Sequence, residues 1–548
     1  MNSVNVLRRA AIGWPLLVLL AAFMLRTAGV AWGQPDVHYA PSSVPFGRID
    51  MQTPLHPDEF LFVALPLKML YRDTLDPQFY ENPSFLLNLN YLTSRLSGLH
   101  QQYPAVGIGG SNDREIAPFS AYVVGRVYSA LGGMLAVAAA FAAGRLLAGY
   151  SAGLWAMLLC AVSLPLVQHA HYATTSSLAA GFAALCAVLC MRAVGRTARP
   201  VPWLAAAAVC AGLAAGNRYN AGLVAVCVLL AGLYVLWVRD EMRQPRRLLC
   251  MALVWALVPA AFLFTTPGAI FVSEKFLRDL RYISNQYLGG PTAAISAWQG
   301  LLEELWYLVV FGIGVLGVVL ALAGMWRAAR GARVQRAQLW LLLAFVALHL
   351  LLINRTVRPN IADQLILPVI PPLAVLAGAG MAALRLRGGL LLLAGALLIG
   401  QPLYQTVTVL ARIQTPDTRT LAQAWLSDRL PAGARVLRVG SINVPLDPAF
   451  VFADQVFDLP QNVDWARYSG YDYLVISDAL ADRYAQTGLA IRSSLPEGAV
   501  AIATFSYNGP SPVGTSLVYS AAYYHQPTLR LYCLNAPACN ATMPARGD

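Results

Sequence analysis

Apolar residues in this chain gather in long blocks; they do not alternate or return every third or fourth position. Runs free of charged residues cover 127–144, 146–168, 172–191, 200–217, 219–238, 248–273, 305–326, 337–354, 364–384 and 388–411. Each is close to the length that a helix needs to cross a bilayer core, about 20 residues at 1.5 Å rise. An eleventh run, 10–31, contains one charge, Arg26, near enough to its end to snorkel. Backbone in hydrocarbon must satisfy its own hydrogen bonds, so the pattern predicts helices throughout. The N-terminal run also fits a cleaved signal peptide, with Arg8 and Arg9 before it and small residues near Ala28-Gly29. Ten further spans favour a retained helix.

Three stretches between or after the spans are too long to be simple connections. Region 32–115 holds nine acids and five cations and opens with scattered prolines. Within it, 57–71 and 83–98 read as short interfacial helices. The first has Pro57, Asp58 and Glu59 in its opening turn; the second has Phe85, Leu86, Leu89 and Leu92 at helical spacing. Region 274–302 is a second polar loop, with a Gly289-Gly290-Pro291 turn. In the tail, Asp417 is placed to cap a helix reaching about Leu430, and apolar runs at 435–439, 471–477, 499–506 and 529–534 are of strand length. The expected fold is thus a polytopic α-helical membrane protein of about eleven spans with a C-terminal α/β domain. The membrane part is 1–411 and the small domain 412–548.

Composition agrees: 57% of residues are hydrophobic, 12% are charged, and mean hydropathy is +0.55. The net charge of +12 suggests a nucleic-acid partner until topology is considered. With the N-terminus in the cytoplasm, sixteen arginines flank the spans on that side: 8, 9, 145, 192, 196, 199, 239, 243, 246, 247, 327, 330, 333, 336, 385 and 387. Only Asp240 and Glu241 oppose them, which leaves 23 cations and 25 acids for the remainder. The excess is a positive-inside signal and excludes the nucleic-acid reading. It places the three polar regions outside the cytoplasm. Cys160, Cys186, Cys190, Cys210, Cys227 and Cys250 lie in or beside spans as packing residues, while Cys533 and Cys539 fall where a disulfide is permitted.

The candidate chemistry starts at His56-Pro57-Asp58-Glu59. Adjacent carboxylates at a membrane surface are costly unless cations or a reacting group compensate. They suit general-base work on a hydroxyl, or metal binding; the bland alternative is two solvated acids at a helix start. Arg126, Arg218, Arg355 and Arg358 stand at exported helix ends, with Lys68 in the first surface helix, and could meet a phosphate; snorkelling is the alternative for each. His169 and His171 could bind a metal only from an extended segment, and otherwise act as hydrogen bonders. His349, alone in a span, reads as a helix–helix polar contact.

Several stretches, in order and sidedness, carry a resemblance. They are the His56–Glu59 loop, Arg126, Gln168-His169-Ala170-His171-Tyr172-Ala173-Thr174, Gly216-Asn217-Arg218-Tyr219-Asn220, Phe276-Leu277-Arg278-Asp279-Leu280-Arg281-Tyr282, and Leu367-Pro368-Val369-Ile370-Pro371-Pro372. Together they resemble the GT-C superfamily of polyprenyl-phosphate-dependent glycosyltransferases, in the branch of protein O-mannosyltransferases and lipid A aminoarabinose transferases. The resemblance implies transfer of a sugar from a polyprenyl-phosphate carrier to a hydroxyl outside the cytoplasm, with inversion. It makes Asp58 the base and Glu59 its partner in positioning the acceptor or tuning the base. Arg218, Arg126, Arg355, Arg358 and Lys68 become donor-phosphate contacts, with Arg218 the best placed, and His56, His169, His171, Tyr219 and Asn220 become polar lining. Two departures stand out: Thr174-Thr175-Ser176-Ser177 where many relatives have an acid, and Ala362-Asp363-Gln364 where many have Arg-Tyr. The implied partners are a lipid-linked sugar donor, membrane lipid, and a glycan, lipid or protein acceptor. No cofactor is firmly implied, no metal ligand set is recognised, and a divalent cation stays open. The implied location is a bacterial inner membrane with the C-terminal domain outside the cytoplasm. The competing classes are a transporter or flippase and a catalytically silent assembly protein on the same fold.

Overall fold

A computed structural model describes residues 2–33, 56, 58–98, 119–195, 197–239, 244–289, 296–353, 362–431, 433–439, 444, 451–456, 464–477, 495, 496, 498–510, 526–535, 537 and 539. Among the described residues, sixteen helices are longer than ten residues: α1 Asn2–Thr27, α2 Glu59–Tyr71, α3 Phe85–Ser97, α4 Phe119–Ala148, α5 Tyr150–Val162, α6 Ser176–Val194, α7 Pro200–Asn217, α8 Ala225–Val238, α9 Pro245–Thr265, α10 Ser273–Gly289, α11 Ala297–Tyr307, α12 Gly314–Ala329, α13 Arg333–Ile353, α14 Ile370–Ala383, α15 Gly388–Ile413 and α16 Thr418–Arg429. Among the described residues, eight helices are long and apolar enough to cross a membrane, or ten if each of two bent pairs counts as one span. The run at 10–31 is α1, whose apolar stretch Gly13–Thr27 is shorter than the rest. The protein is a multi-pass membrane protein, as the hydropathy pattern predicts.

Two details depart from a simple reading of the runs. The block at 146–168 bends by 61° between α5 and the short helical stretch Leu164–His171, and the block at 305–326 bends by 108° ahead of α12. Gly314 makes the second bend with φ +78°, a left-handed conformation that favours glycine. Arg26 does not snorkel. It is buried, and its guanidinium donates to the carbonyls of Cys160 (2.9 Å) and Ala161 (3.1 Å), at the negative end of α5.

Small residues let the spans approach closely. A β-carbon on Gly324 of α12 would lie 2.0 Å from the Leu376 carbonyl oxygen of α14, and one on Gly380 would lie 2.0 Å from that of Leu320. Between membrane helices such backbone-to-backbone packing is a main source of association.

The polar regions are more helical than loop-like. α2 starts two residues later than the sequence suggests, with Asp58 as its N-cap, and the Asp58 side chain makes no capping bond. α3 buries Leu86, Leu87, Asn90, Tyr91 and Ser94, while Leu92, expected on the inner face, is half exposed. Most of 274–302 is the amphipathic helix α10, which turns Phe276 and Asp279 inward and leaves Leu277 and Tyr282 exposed. Gly290 and Pro291 lie outside the described residues.

Among the described residues after α16 are five strands, β1 Ala434–Val439, β2 Val451–Val456, β3 Tyr473–Ser477, β4 Val500–Phe505 and β5 Leu529–Cys533, in the order β2-β1-β3-β5-β4. β1 pairs in parallel with β2 and β3, while β5 runs antiparallel to β3 and β4. Side chains alternate across the sheet. Val436, Val475 and Leu531 pack with Ala422 and Leu426 of α16, while Leu437, Leu474, Ile476 and Tyr532 form a second core on the other face. The Cys533–Cys539 disulfide is formed. β2 is the strand that hydropathy does not predict.

Replacing Gly380 by valine forces α12 and α14 apart. The expected cost is about 1–3 kcal/mol, read as a lower unfolding temperature of the purified protein in detergent; an unchanged temperature contradicts the close crossing.

Candidate active site

The site begins with the residue beside the candidate base. Glu59 opens α2 and its side chain is fully buried. Arg126 of α4 meets it with two parallel bonds, Nε to Oε1 at 2.7 Å and Nη2 to Oε2 at 2.8 Å, and the Ala173 amide donates to Oε1 at 2.6 Å. The remaining Arg126 nitrogen, Nη1, donates to the carbonyls of Val30 and Trp32, both at 2.6 Å. Four segments are thereby fastened together: the end of α1, the start of α2, α4 and the stretch after His171. Such a buried pair is held in place largely by the cost of separating it. Removing one partner leaves a charge stranded in low dielectric, at about 3–5 kcal/mol. This geometry occupies Arg126 with Glu59 and two carbonyls. Glu59 likewise anchors the loop.

The clamp leaves Asp58, one residue earlier, partly exposed and pointing elsewhere. The Asp58 amide donates to His56 Nδ1 at 3.2 Å, and the buried His56 ring packs on Tyr172 with centroids 4.1 Å apart. His56 therefore shapes the turn. The Asp58 carboxylate is approached at 3.5 Å by Gln364 Nε2. The other end of the same amide, Gln364 Oε1, accepts from Arg218 Nη2 at 2.7 Å. An amide has the right polarity for this place, with its donor toward the anion and its acceptor toward the cation. Arg218 follows α7 in extended conformation and is only 8% exposed, yet its Nη1 is buried without a hydrogen-bond partner. A buried guanidinium N–H without an acceptor is costly and is well suited to an incoming anion.

The neighbouring polar residues hold this arrangement. Asn220 donates to the Leu365 carbonyl at 3.2 Å, and His349 Nε2 contacts the same oxygen at 2.8 Å, which fixes the short helix Ala362–Ile366 that carries Gln364. His349 is thus the helix–helix contact expected of it. Tyr219 donates to the Tyr80 carbonyl at 2.8 Å, and the Tyr80 amide donates to Asp279 of α10 at 3.0 Å, so both polar regions are tied to one wall. Asp279 also holds Lys275, at 2.6 Å from Oδ1. Glu81 is pushed above the usual carboxylate range, by burial first and then by the Asp279 charge, with Lys275 opposing.

The histidines do not assemble a metal site. His171 has both ring nitrogens against main-chain carbonyls, Val167 and Ala28, each at 2.8 Å, and His169 stands edge-on to Tyr172. Among the described residues, no group of three or more His, Cys, Asp or Glu is placed to hold a metal ion. Lys68 lies half-buried in the last turn of α2, about 15 Å from Asp58 along the helix axis. Arg355 and Arg358 lie outside the described residues. Two residues at or near this wall escape sequence reasoning. Gln364 reads as a missing arginine until its two contacts are seen. Glu304 of α11 is fully buried with neither oxygen hydrogen-bonded, just outside a charge-free run that ends short of it.

Several solved structures are similar to this chain. ArnT from Cupriavidus metallidurans in the apo state is 14% identical, with 95% of this chain and 98% of that chain covered and a TM-score of 0.46. The apo oligosaccharyltransferase of Archaeoglobus fulgidus is 13% identical over 91% of this chain and 74% of that one, with a TM-score of 0.48. The mycobacterial arabinofuranosyltransferase AftD is 15% identical over 96% of this chain and 42% of that one, with a TM-score of 0.37. No curated protein matches the chain by sequence. Residues 79–279, from Tyr80's neighbour through Arg126 and Arg218 to Asp279, match the family model described as dolichyl-phosphate-mannose-protein mannosyltransferase. The matched stretch is 201 of the chain's 548 residues, and over that stretch the chain is similar to the family.

Proposed function

We propose that this protein moves a sugar from a polyprenyl-phosphate donor to a hydroxyl on a glycan, lipid or protein at the extracytoplasmic face, with inversion and with Asp58 as general base. The observation that carries the reading is the Asp58–Gln364–Arg218 line: a carboxylate and a guanidinium with a donor to spare, held apart by one amide. A direct ion pair would neutralise both groups. The spacer keeps the base available and leaves room for a reacting centre between base and cation. The family domain supports the donor class, since the family is named for a dolichyl-phosphate sugar. The one-sided excess of arginine supports the extracytoplasmic face.

In this reaction the acceptor oxygen attacks the anomeric carbon from the face opposite the phosphate. The new carbon–oxygen bond forms as the bond to the phosphate oxygen breaks, and polyprenyl phosphate leaves with that electron pair. The hydroxyl proton passes to Asp58. A carboxylate is a weak base near neutral pH, so the proton moves late, as the hydroxyl oxygen loses electron density. Arg218 Nη1 meets the charge growing on the phosphate, in surroundings where water is largely excluded and a fixed donor counts for more. Glu59 and Arg126 act through the backbone, by fixing where Asp58 stands. The buried Glu304 is a feature that a transporter would share, and loss-of-base variants separate the two readings.

Asp58→Asn is expected to lower turnover of a polyprenyl-phosphate sugar by about 10²–10⁴-fold with donor binding retained, measured by product mass in reconstituted protein. Unchanged turnover removes Asp58 from the mechanism. Gln364→Leu, which lets Arg218 collapse onto Asp58, is expected to cost up to about 10²-fold in kcat through misplacement; wild-type kcat contradicts the spacer role. Glu59→Gln is expected to destabilise the fold by about 3–5 kcal/mol, seen as a lower unfolding temperature. A Glu59→Met, Arg126→Met double variant should recover much of that loss, and a double variant as unstable as the single one argues against a clamp.

A further inference from the structure

The end of the bundle remote from Asp58 holds a second recess that sugar transfer leaves unused. Near its C-terminus α13 supports the Gln364 segment through His349, and sixteen residues earlier it begins at Arg333. At 1.5 Å per residue the two positions are about 24 Å apart, close to the depth of a bilayer core. At the Arg333 end, α8 and α13 enclose a groove of about 460 Å³. Leu230, Tyr234, Trp237 and Trp340 form its apolar and aromatic walls, and Arg333 and Arg336 stand at its rim.

The two arginines are unlike their neighbours. Arg239, at the end of α8, donates to the Thr197 and Ala198 carbonyls. Arg330 lies over Trp326, 3.5 Å from the ring centroid. Arg333 touches the ring of Trp237, centroid 4.5 Å away, but neither it nor Arg336 makes a hydrogen bond or ion pair with a described residue. Both lie one turn apart on the same helix, at the positive end of its dipole, where an anion is favoured. Trp237 and Trp340 are 63% and 65% exposed, the amphipathic belt expected where headgroups meet acyl chains.

We propose that this groove binds an anionic phospholipid from the leaflet on that side, with its phosphate on Arg333 and Arg336 and an acyl chain along Leu230, Tyr234 and Trp340. Charge and shape together select this occupant. Two uncompensated cations favour net negative headgroups and disfavour a choline, while an apolar floor about two helical turns long is wasted on a free phosphate. The site is independent of the sugar-transfer reading, since it shares no residue with the Asp58 wall.

The test uses the full-length protein in native mass spectrometry after detergent exchange, with phosphatidylglycerol and phosphatidylcholine of matched chains. Wild type should retain one phosphatidylglycerol in preference to phosphatidylcholine. Arg333→Gln with Arg336→Gln should lose that preference by about tenfold or more with an unchanged unfolding temperature, because both side chains are exposed. Trp340→Ala should weaken retention of phosphatidylglycerol while leaving both arginines in place. Equal retention of the two lipids, or a double variant that behaves like wild type, reduces the groove to general attraction by exposed arginines and overturns the proposal. Displacement of the lipid by millimolar inorganic phosphate would overturn the choice of a lipid over a free anion.

Discussion

One buried ion pair organises the end of this molecule that holds Asp58. Glu59 and Arg126 are both fully buried, and Arg126 Nη1 donates to the carbonyls of Val30 and Trp32. The pair fixes a loop that would otherwise hang from the end of a short surface helix. The two adjacent acids have opposite environments: Glu59 goes inward to anchor, and Asp58 is left partly exposed. The same anchor reaches the C-terminal domain. The ring of Trp32 lies 5.9 Å from the Arg126 guanidinium and 5.8 Å from that of Arg419, which is itself paired with Asp417 at the head of α16.

Around this fixed point the polar residues divide into supports and reactants. Asn220, His349 and Tyr219 hold main-chain carbonyls, and Tyr80 links Tyr219 to Asp279, which together set the positions of Gln364 and Arg218. Arg218 keeps one buried nitrogen without a partner. An unpaired donor beside an unneutralised acid is an expensive arrangement for a fold to keep unless a ligand completes it. This asymmetry gives the proposed reaction its direction, with the acceptor on the Asp58 side and the departing phosphate on the Arg218 side.

The sequence displays the membrane fold plainly because a span is a local property: about twenty apolar residues announce themselves without reference to the rest of the chain. The bend at Gly314 is hidden for the same reason, since hydropathy continues across it. Asp58 and Glu59 are visible as an unusual pair, but which of them is buried depends on Arg126, 67 residues away, and pairing at that distance leaves no local trace. Arg26 shows the same limit. Its carbonyl partners at Cys160 and Ala161 turn a supposed snorkelling residue into a helix cap. Gln364 is read from sequence as the loss of an arginine, and only its two opposed contacts give it a role. β2 is missed because Asp454 and Gln455 interrupt its apolar pattern at a position where pairing with β1 decides the conformation.

If Asp58 and Arg218 face the two ends of one reacting bond, a structure of the protein with a non-transferable polyprenyl-phosphate sugar analogue will show it. A phosphate oxygen is expected within hydrogen-bonding distance of Arg218 Nη1, with the anomeric carbon between that phosphate and the Asp58 carboxylate. A phosphate seated away from Arg218, or a sugar whose anomeric carbon turns its back on Asp58, would contradict it.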